Sequence, residues 1–362
     1  MLRLLAGCVL LAILTTACSS AQPSPTAPTA PASRTSGPAG AAATSARSAP
    51  AIARCAKPAP DTPAAFAAAL GALPSQQWGA ADLSVSVPMP DGRIVWLYGD
   101  TLTGPDPAHL SGLVHSSAVV QDAGCFHVSA RGAQLLPNDN PARISWPSGA
   151  VALDNTHLLV ATGQQKLTGA CGLCFRQVGL RGAIVTLEPD GDLRFSHWLA
   201  KWPALKDNIV WGTGFARRGS TIVMYGISGT GLRRALYVAT ATAAGAARGE
   251  WSLGRRPVAD AIGPAGGSAY ADPDGWHYVT KSGRAIVRLD APAPRGPYTR
   301  EVIGAVPAPA SGQVRYMASA HPEARVSGGG LLVTVCSNWV DGKAHRLATY
   351  RPVYLGLAGA RT

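Results

Sequence analysis

Three places in this 362-residue chain put a carboxylate where an apolar strand ought to begin or end. Asp82 follows Gly79-Ala80-Ala81 and opens the run Leu-Ser-Val-Ser-Val. Asp100 closes the next run, Trp-Leu-Tyr-Gly-Asp, and Glu323 stands in His321-Pro322-Glu323. A buried carboxylate is costly unless paired or solvated, so each of these asks for a lined opening. Two carboxyl groups held close together do proton-transfer chemistry. Their mutual repulsion raises one pKa, so that one member keeps its proton while the other stays ionised. Each residue also has a plainer use: Asp82 could cap strand amides, Asp100-Thr101 could form a local turn, and Glu323 could pair with an arginine. His321 could hold an ion or water in a channel, or simply pack. Pro322 offers the ladder no donor, so this segment is predicted to lie outside buried sheet.

A second group of residues could bind rather than react. Trp146, Trp211 and Trp339 recur near strand starts or ends, where an indole could stack on a sugar face or fill a core. Trp146 and Trp211 each precede a small-residue strand. His115, in Val-His-Ser-Ser-Ala-Val-Val, is either a strand residue or a contact to ligand.

The elements that must position these groups repeat five times. Copies start at Trp78, Trp146, Trp211, Gly266 and Ala318, each a small-residue strand, a tight turn and an aromatic or aliphatic strand. A recurrence at about 50–70 residues is a propeller signature, because each unit buries its face against its neighbours. The fold expected is therefore all-β, a five-bladed propeller over residues 61–362, with one helical piece at residues 63–73 ahead of the first blade. In the first copy Pro90-Asp91-Gly92 supplies the turn. Counting outward from it sets Asp82 opposite Gly99 or Asp100. The same count in the last copy sets His321 and Glu323 opposite residues 336–338. In a closed ring the first and last blades are neighbours, so Asp82, Asp100, His321 and Glu323 are expected at one mouth, with Trp146, Trp211 and Trp339 at matching heights.

The N-terminus reads as an export signal: Arg3, an apolar core at residues 4–14, then Thr15-Thr16-Ala17-Cys18. The last four residues resemble a bacterial lipobox, which implies removal of residues 1–17 and lipidation of Cys18. Ordinary secretion with cleavage near Ala17 is the other reading. Residues 18–60 are almost wholly Ala, Pro, Ser, Thr and Gly, a disordered tether by composition. The expected location is the outer face of the cytoplasmic membrane. Formal charge is +12, and removing Arg3, Arg34, Arg47, Arg54 and Lys57 leaves +7 on the folded part. No basic run is interleaved with aromatics, which argues against nucleic acid as partner, whereas a modest basic surface suits an anionic envelope. Of the cysteines left after processing, Cys171 and Cys174 form C-x-x-C without the further ligands a zinc site needs, and a local disulfide is the plainer reading. Cys55, Cys125 and Cys336 make an odd total, and the sequence leaves their pairing open.

Ala-Asp82-Leu-Ser-Val, Pro-Asp-Gly-Arg-Ile-Val-Trp-Leu-Tyr-Gly-Asp100-Thr, Val-His115-Ser-Ser-Ala-Val-Val-Gln and His-Pro-Glu323 together resemble the five-bladed propeller glycoside hydrolases. The likeness extends to the secreted actinobacterial-type family that includes endo-D-arabinanases acting on mycobacterial-type arabinan. It implies that Asp82 is catalytic, with Asp100 its partner by position and Glu323 a third acid. Related propellers commonly place an acid in blade two, where this chain has Trp-Pro-Ser148-Gly. The chemistry implied is cleavage of a glycosidic bond between two carboxyl groups. A separation of about 5–5.5 Å gives retention and about 6.5–9.5 Å gives inversion. No cofactor is required by that chemistry, and a structural calcium could sit in the central channel near His321. The partners implied are cell-wall polysaccharide and, through the lipid, the membrane. The competing reading is a non-catalytic carbohydrate-binding or scaffold propeller lipoprotein, with an aromatic, largely neutral mouth.

Overall fold

In the computed structural model, residues 54–168, 175–206, 208–230, 233–262, 266–339 and 350–358 are described. Cys18, Cys171 and Cys174, and with them the lipidation site and the C-x-x-C motif, lie outside the described residues. What the repeats build is a series of antiparallel sheets met in chain order. Sheet one comprises Val85–Pro88, Ile94–Tyr98, Ser117–Asp122 and Cys125–Val128. Sheet two comprises Arg143–Ala152, His157–Leu167, Phe175–Leu187 and Leu193–Trp198. Sheet three runs Val210–Arg218, Thr221–Thr230, Arg233–Thr242 and Ser252–Leu253, with Ala259–Ile262 also on its third strand. Sheet four runs Gly267–Asp272, Gly275–Ser282, Ala285–Ala291 and Thr299–Ala305, and sheet five Gln313–Val326, Gly330–Trp339 and Val353–Leu357. A small extra sheet of Ala80–Ala81, Thr101–Thr103 and Gly112–Val114 stands beside the first.

The turns are written in the sequence. Asp91 accepts from the Arg93 amide at 3.0 Å while Gly92 takes φ +88°. Asp154 accepts from the Thr156 and His157 amides, both at 2.8 Å, and Asp272 from Asp274 and Gly275. Such side-chain-to-backbone bonds replace the missing ladder partners of a tight reversal.

Apolar residues gather between the sheets and not in one central core. Val87, Leu97, Val160 and Val185 fill the space between sheets one and two; Trp211, Phe215, Leu159 and Ile184 that between two and three. Tyr225, Val238, Tyr278 and Leu289 lie between three and four; Val279, Ile286, Leu331 and Val333 between four and five. Trp96, Tyr98, Val326 and Leu332 lie between five and one, under the helix Pro63–Gly71. The first strand of each sheet packs beside that of the next, and the first strand of sheet five packs beside that of sheet one. This is a propeller-like arrangement, whose units share their buried faces with their neighbours.

The helix is capped by Thr62, whose hydroxyl accepts from the Ala65 amide at 3.1 Å, and starts on Pro63. It ends at Gly71, two residues before the predicted end, since a residue preceding proline (Leu73 before Pro74) disfavours helix. Phe66 and Leu70 go inward, Phe66 against Trp96 with ring centroids 6.0 Å apart. Residues 54–60, read from composition as the end of the tether, are fastened to sheet one. Cys55 is disulfide-bonded to Cys125, Arg54 pairs with Asp122 at 2.9 Å, and Gly124 donates to the Lys57 carbonyl. Cys336 is free and buried.

Candidate active site

Asp82 and Asp100 face each other at the end of the first hairpin remote from its turn. The Asp82 amide donates to the Asp100 carbonyl at 3.1 Å, and the Gly99 amide to the Asp82 carbonyl at 3.0 Å. Leu83, next in the chain, takes a left-handed φ of +57°, which breaks the strand before it resumes at Val85. The Asp82 carboxylate accepts from the Tyr316 hydroxyl at 2.5 Å and also from Tyr350. Burial, with the charge of Asp100 adding to it, raises the Asp82 carboxyl from 3.8 to about 7 against the pull of those two hydroxyls. Asp100 is held differently. One of its oxygens accepts from His115 Nδ1 at 2.7 Å and from Trp146 Nε1 at 2.7 Å. The Asp100 side chain remains 24% exposed, so the pair opens to solvent. One carboxyl poised near neutrality beside another fixed by two donors is the arrangement that acid–base chemistry needs.

His321 and Glu323 are not at this mouth. Tyr316 stands level with Asp82, while His321 Nδ1 meets the Ser86 hydroxyl at 2.5 Å, four residues further along the first strand. The count from the turn fails because residues 322–325 are a bulge. The register goes from His321↔Leu332 straight to Val326↔Gly330, so four residues face one. Pro322, lacking a donor, sits in that interruption, inside Gln313–Val326 and not beyond it. Cys336 pairs with Tyr316 instead.

His321 is also not placed as an ion ligand. It is fully buried, its second nitrogen meets Thr334 Oγ1 at 2.8 Å, and its ring lies 4.8 Å from Trp96. Burial pushes its pKa down to about 3, so the ring is a neutral core group with both nitrogens engaged. Among the described residues no group of three His, Cys, Asp or Glu is gathered as for a metal. Glu323 points into a cavity of about 930 Å³ at the turn end of the inner strands, lined by segments of all five sheets. Burial raises Glu323 to about 7 against a hydrogen bond from Ser86, and its Oε1 is buried without a partner.

Among the expected binding residues, Trp146 and His115 do reach the site, as the two donors to Asp100. Trp146 also stands edge-on to Phe175, centroids 4.7 Å apart. Trp211 is corrected to a core residue, 3% exposed and edge-on to Tyr237 between sheets two and three. Trp339 is half-buried at the matching end of sheet five, opposite Gln313, with its ring against Gly312.

Tyr316 and Tyr350 had no sequence signal as site residues: neither lies near Asp82 in the chain, and neither belongs to a polar motif. Strand irregularities at one level did leave a trace. Registers slip at Ser148, at residues 212–213 and at Met317, and Gly212 and Met317 take φ +90° and +48°. Bulges re-aim side chains and cluster beside active sites. At Gly212 the close approach is strict, since a Cβ there would fall 2.3 Å from that of Ala161. Ser148 donates to the Gly212 carbonyl at 3.0 Å and ties sheet two to sheet three.

No protein-family model matches this chain, and no curated protein is similar to it. Solved structures are. A candidate hydrolase from Bacteroides ovatus is 16% identical, with 82% of this chain and 89% of that one covered at a TM-score of 0.62. The catalytic domain of the Coprinopsis cinerea GH62 α-L-arabinofuranosidase is 11% identical, covering 80% and 95%, with a TM-score of 0.45. The Penicillium chrysogenum α-L-arabinanase is 13% identical, covering 75% and 81%, at 0.37. The first of these is a likeness of fold, and the other two are looser.

Proposed function

We propose that this chain is a five-bladed propeller, tethered to the outer face of the cytoplasmic membrane through a lipid on Cys18, that hydrolyses glycosidic bonds in cell-envelope polysaccharide of arabinan type. The observation that carries the reading is the Asp82–Asp100 pair. Asp82, raised to about 7 by burial and by its neighbour, is the proton donor to the departing oxygen. Asp100, oriented by His115 and Trp146, is the second carboxylate, acting on water or on the sugar carbon. Tyr316 and Tyr350 hold the acid in place. The five inner strands packed in sequence, the last beside the first, support the five-bladed ring. The fold likeness to the Bacteroides ovatus protein is consistent with a hydrolase.

One observation favours a second reading, a binding module without catalysis. Ser148 stands where related propellers have an acid and is used to join two sheets. Sugar release from arabinogalactan and lipoarabinomannan, comparing the full-length protein with its Asp82→Asn variant, separates the two. Oligosaccharides from the parent alone support the hydrolase. Retained polysaccharide binding with no release from either leaves the binding module.

A further inference from the structure

The mouth at Asp82 carries positive charge that nothing in the carboxylate chemistry uses. Arg234, Lys281 and Arg315 belong to sheets three, four and five, and all three stand at the Asp82 end of their strands. Arg315 immediately precedes Tyr316, the donor to Asp82. Lys281 follows Thr280, the partner of Gly267, and Gly266 packs between Thr213 and Met317. Arg234 lies by Tyr278, whose hydroxyl meets Thr213 Oγ1 at 3.2 Å. By strand alternation Lys281 shares its face of sheet four with Val279, toward sheet five, and Arg315 turns away from Tyr316 toward sheet four. Arg234, with Tyr278, is between sheets three and four, so the three cations are spread along neighbouring gaps of one rim.

All three are half-buried, and among the described residues none ion-pairs with a carboxylate. Among the described residues the Nε atoms of Arg234 and Arg315 are buried without partners, and Arg315 reaches the Ser337 hydroxyl. They do not neutralise the catalytic pair, since Asp82 is held by tyrosines and Asp100 by His115 and Trp146. Burial lowers the pKa of each. Half-burying three cations with no counter-charge is costly.

Sheet two adds an independent sign. Lys166 is directly opposite Arg143 on one side and Arg176 on the other, so three cations form a row across three strands. Like charges facing each other across a ladder destabilise it. Asp139 reaches Arg143 at 3.6 Å but is shared with Arg181 at 2.7 Å. This row shares the strand ends of Trp146 and Phe175.

We propose that the mouth at Asp82 takes an anionic saccharide, a glycan bearing phosphate or carboxylate groups, gripped by Arg234, Lys281 and Arg315 and met on the facing side by Arg143, Lys166 and Arg176. This rests on the reading above only in taking that mouth as the functional end. Guanidinium groups match both oxyanions in two-point geometry, and an ammonium adds a third contact.

Binding, not hydrolysis, tests it. The full-length protein is titrated with neutral arabinan, with polygalacturonate and with a glycerol-phosphate polymer. At least one anionic polymer should bind roughly tenfold or more tightly than arabinan, a preference that salt weakens. Lys281→Gln with Arg234→Gln should remove the preference, and Arg315→Lys should keep it. If the double variant melts early, Lys281→Gln alone is read. The polymer preferred identifies the oxyanion. Equal binding of neutral and anionic polymers, or a preference untouched by the charge-removing variants, overturns the proposal. Asp82→Asn, read for both binding and release, keeps this outcome apart from the hydrolase question: anionic binding without any release sinks only the latter.

Discussion

Replacing Asp82 by asparagine should stabilise the protein in a pH-dependent manner while removing the proposed proton donor. Asp82 is raised from 3.8 to about 7 by burial and by Asp100. Between those two values the folded chain holds a proton that the unfolded chain has released. Stability therefore falls as pH rises through this window and levels off above about 7. At about 1.36 kcal/mol per unit the penalty approaches roughly 4 kcal/mol, an upper bound because the site is open to water on one side. Asparagine cannot titrate, and its carbonyl still accepts from Tyr316. Urea unfolding of parent and variant from pH 4 to pH 8 should show curves that coincide at pH 4 and separate progressively, the variant being the more stable by 2–4 kcal/mol at pH 8 by the same conversion, about half to all of the bound. Sugar release should be lost in the same variant. A stability difference that is flat across the range, or that favours the parent at high pH, would refute the account of a buried, neutral Asp82.

Two further outcomes follow from other groups. Glu323→Gln should share the stabilising sign at pH 8, because burial also raises Glu323 to about 7. Yet it should leave sugar release within about twofold, since Glu323 faces the cavity at the turn end, and a tenfold loss would return it to the reacting site. His277 lies between Asp290 at 2.6 Å and Asp272 at 2.9 Å; burial opposes its charge, but the two carboxylates win and raise its pKa. Its contribution is fully present below 6.5 and lost as pH rises through the raised value. His277→Gln should cost about 3 kcal/mol or more at pH 6 and much less at pH 9, measured by chemical denaturation; an equal loss at both would contradict it.

The first hairpin was legible because its turn is short, so counting outward set Asp82 against Gly99 or Asp100, and its backbone bonds both. The same count failed in the last sheet, where nothing local announces that residues 322–325 face one partner. Pro322 marked the disturbance but not its size. Trp211 shows the ambiguity of a repeated aromatic, since the periodicity that aligns it with Trp146 also describes a core position. Tyr316 and Tyr350 reach Asp82 only through the packing of the last sheet on the first, which one sequence does not encode locally. Residues 54–60 looked like tether by composition, and it is the Cys55–Cys125 disulfide, the Arg54–Asp122 ion pair and the bond from the Gly124 amide to the Lys57 carbonyl that fasten them down.

That fastening has a mechanical side. The helix Pro63–Gly71 lies on both Trp96 of sheet one and the last strand of sheet five, and Asp61 bonds Ser327 at the sheet-five turn. This short stretch therefore acts as a clasp across the seam where the series of sheets meets its own beginning. A pull on the chain ahead of Cys55 is diverted through the disulfide to Cys125, at the edge of sheet one. The force bypasses the clasp, so a protein strained against an anchor would load one sheet and spare the seam.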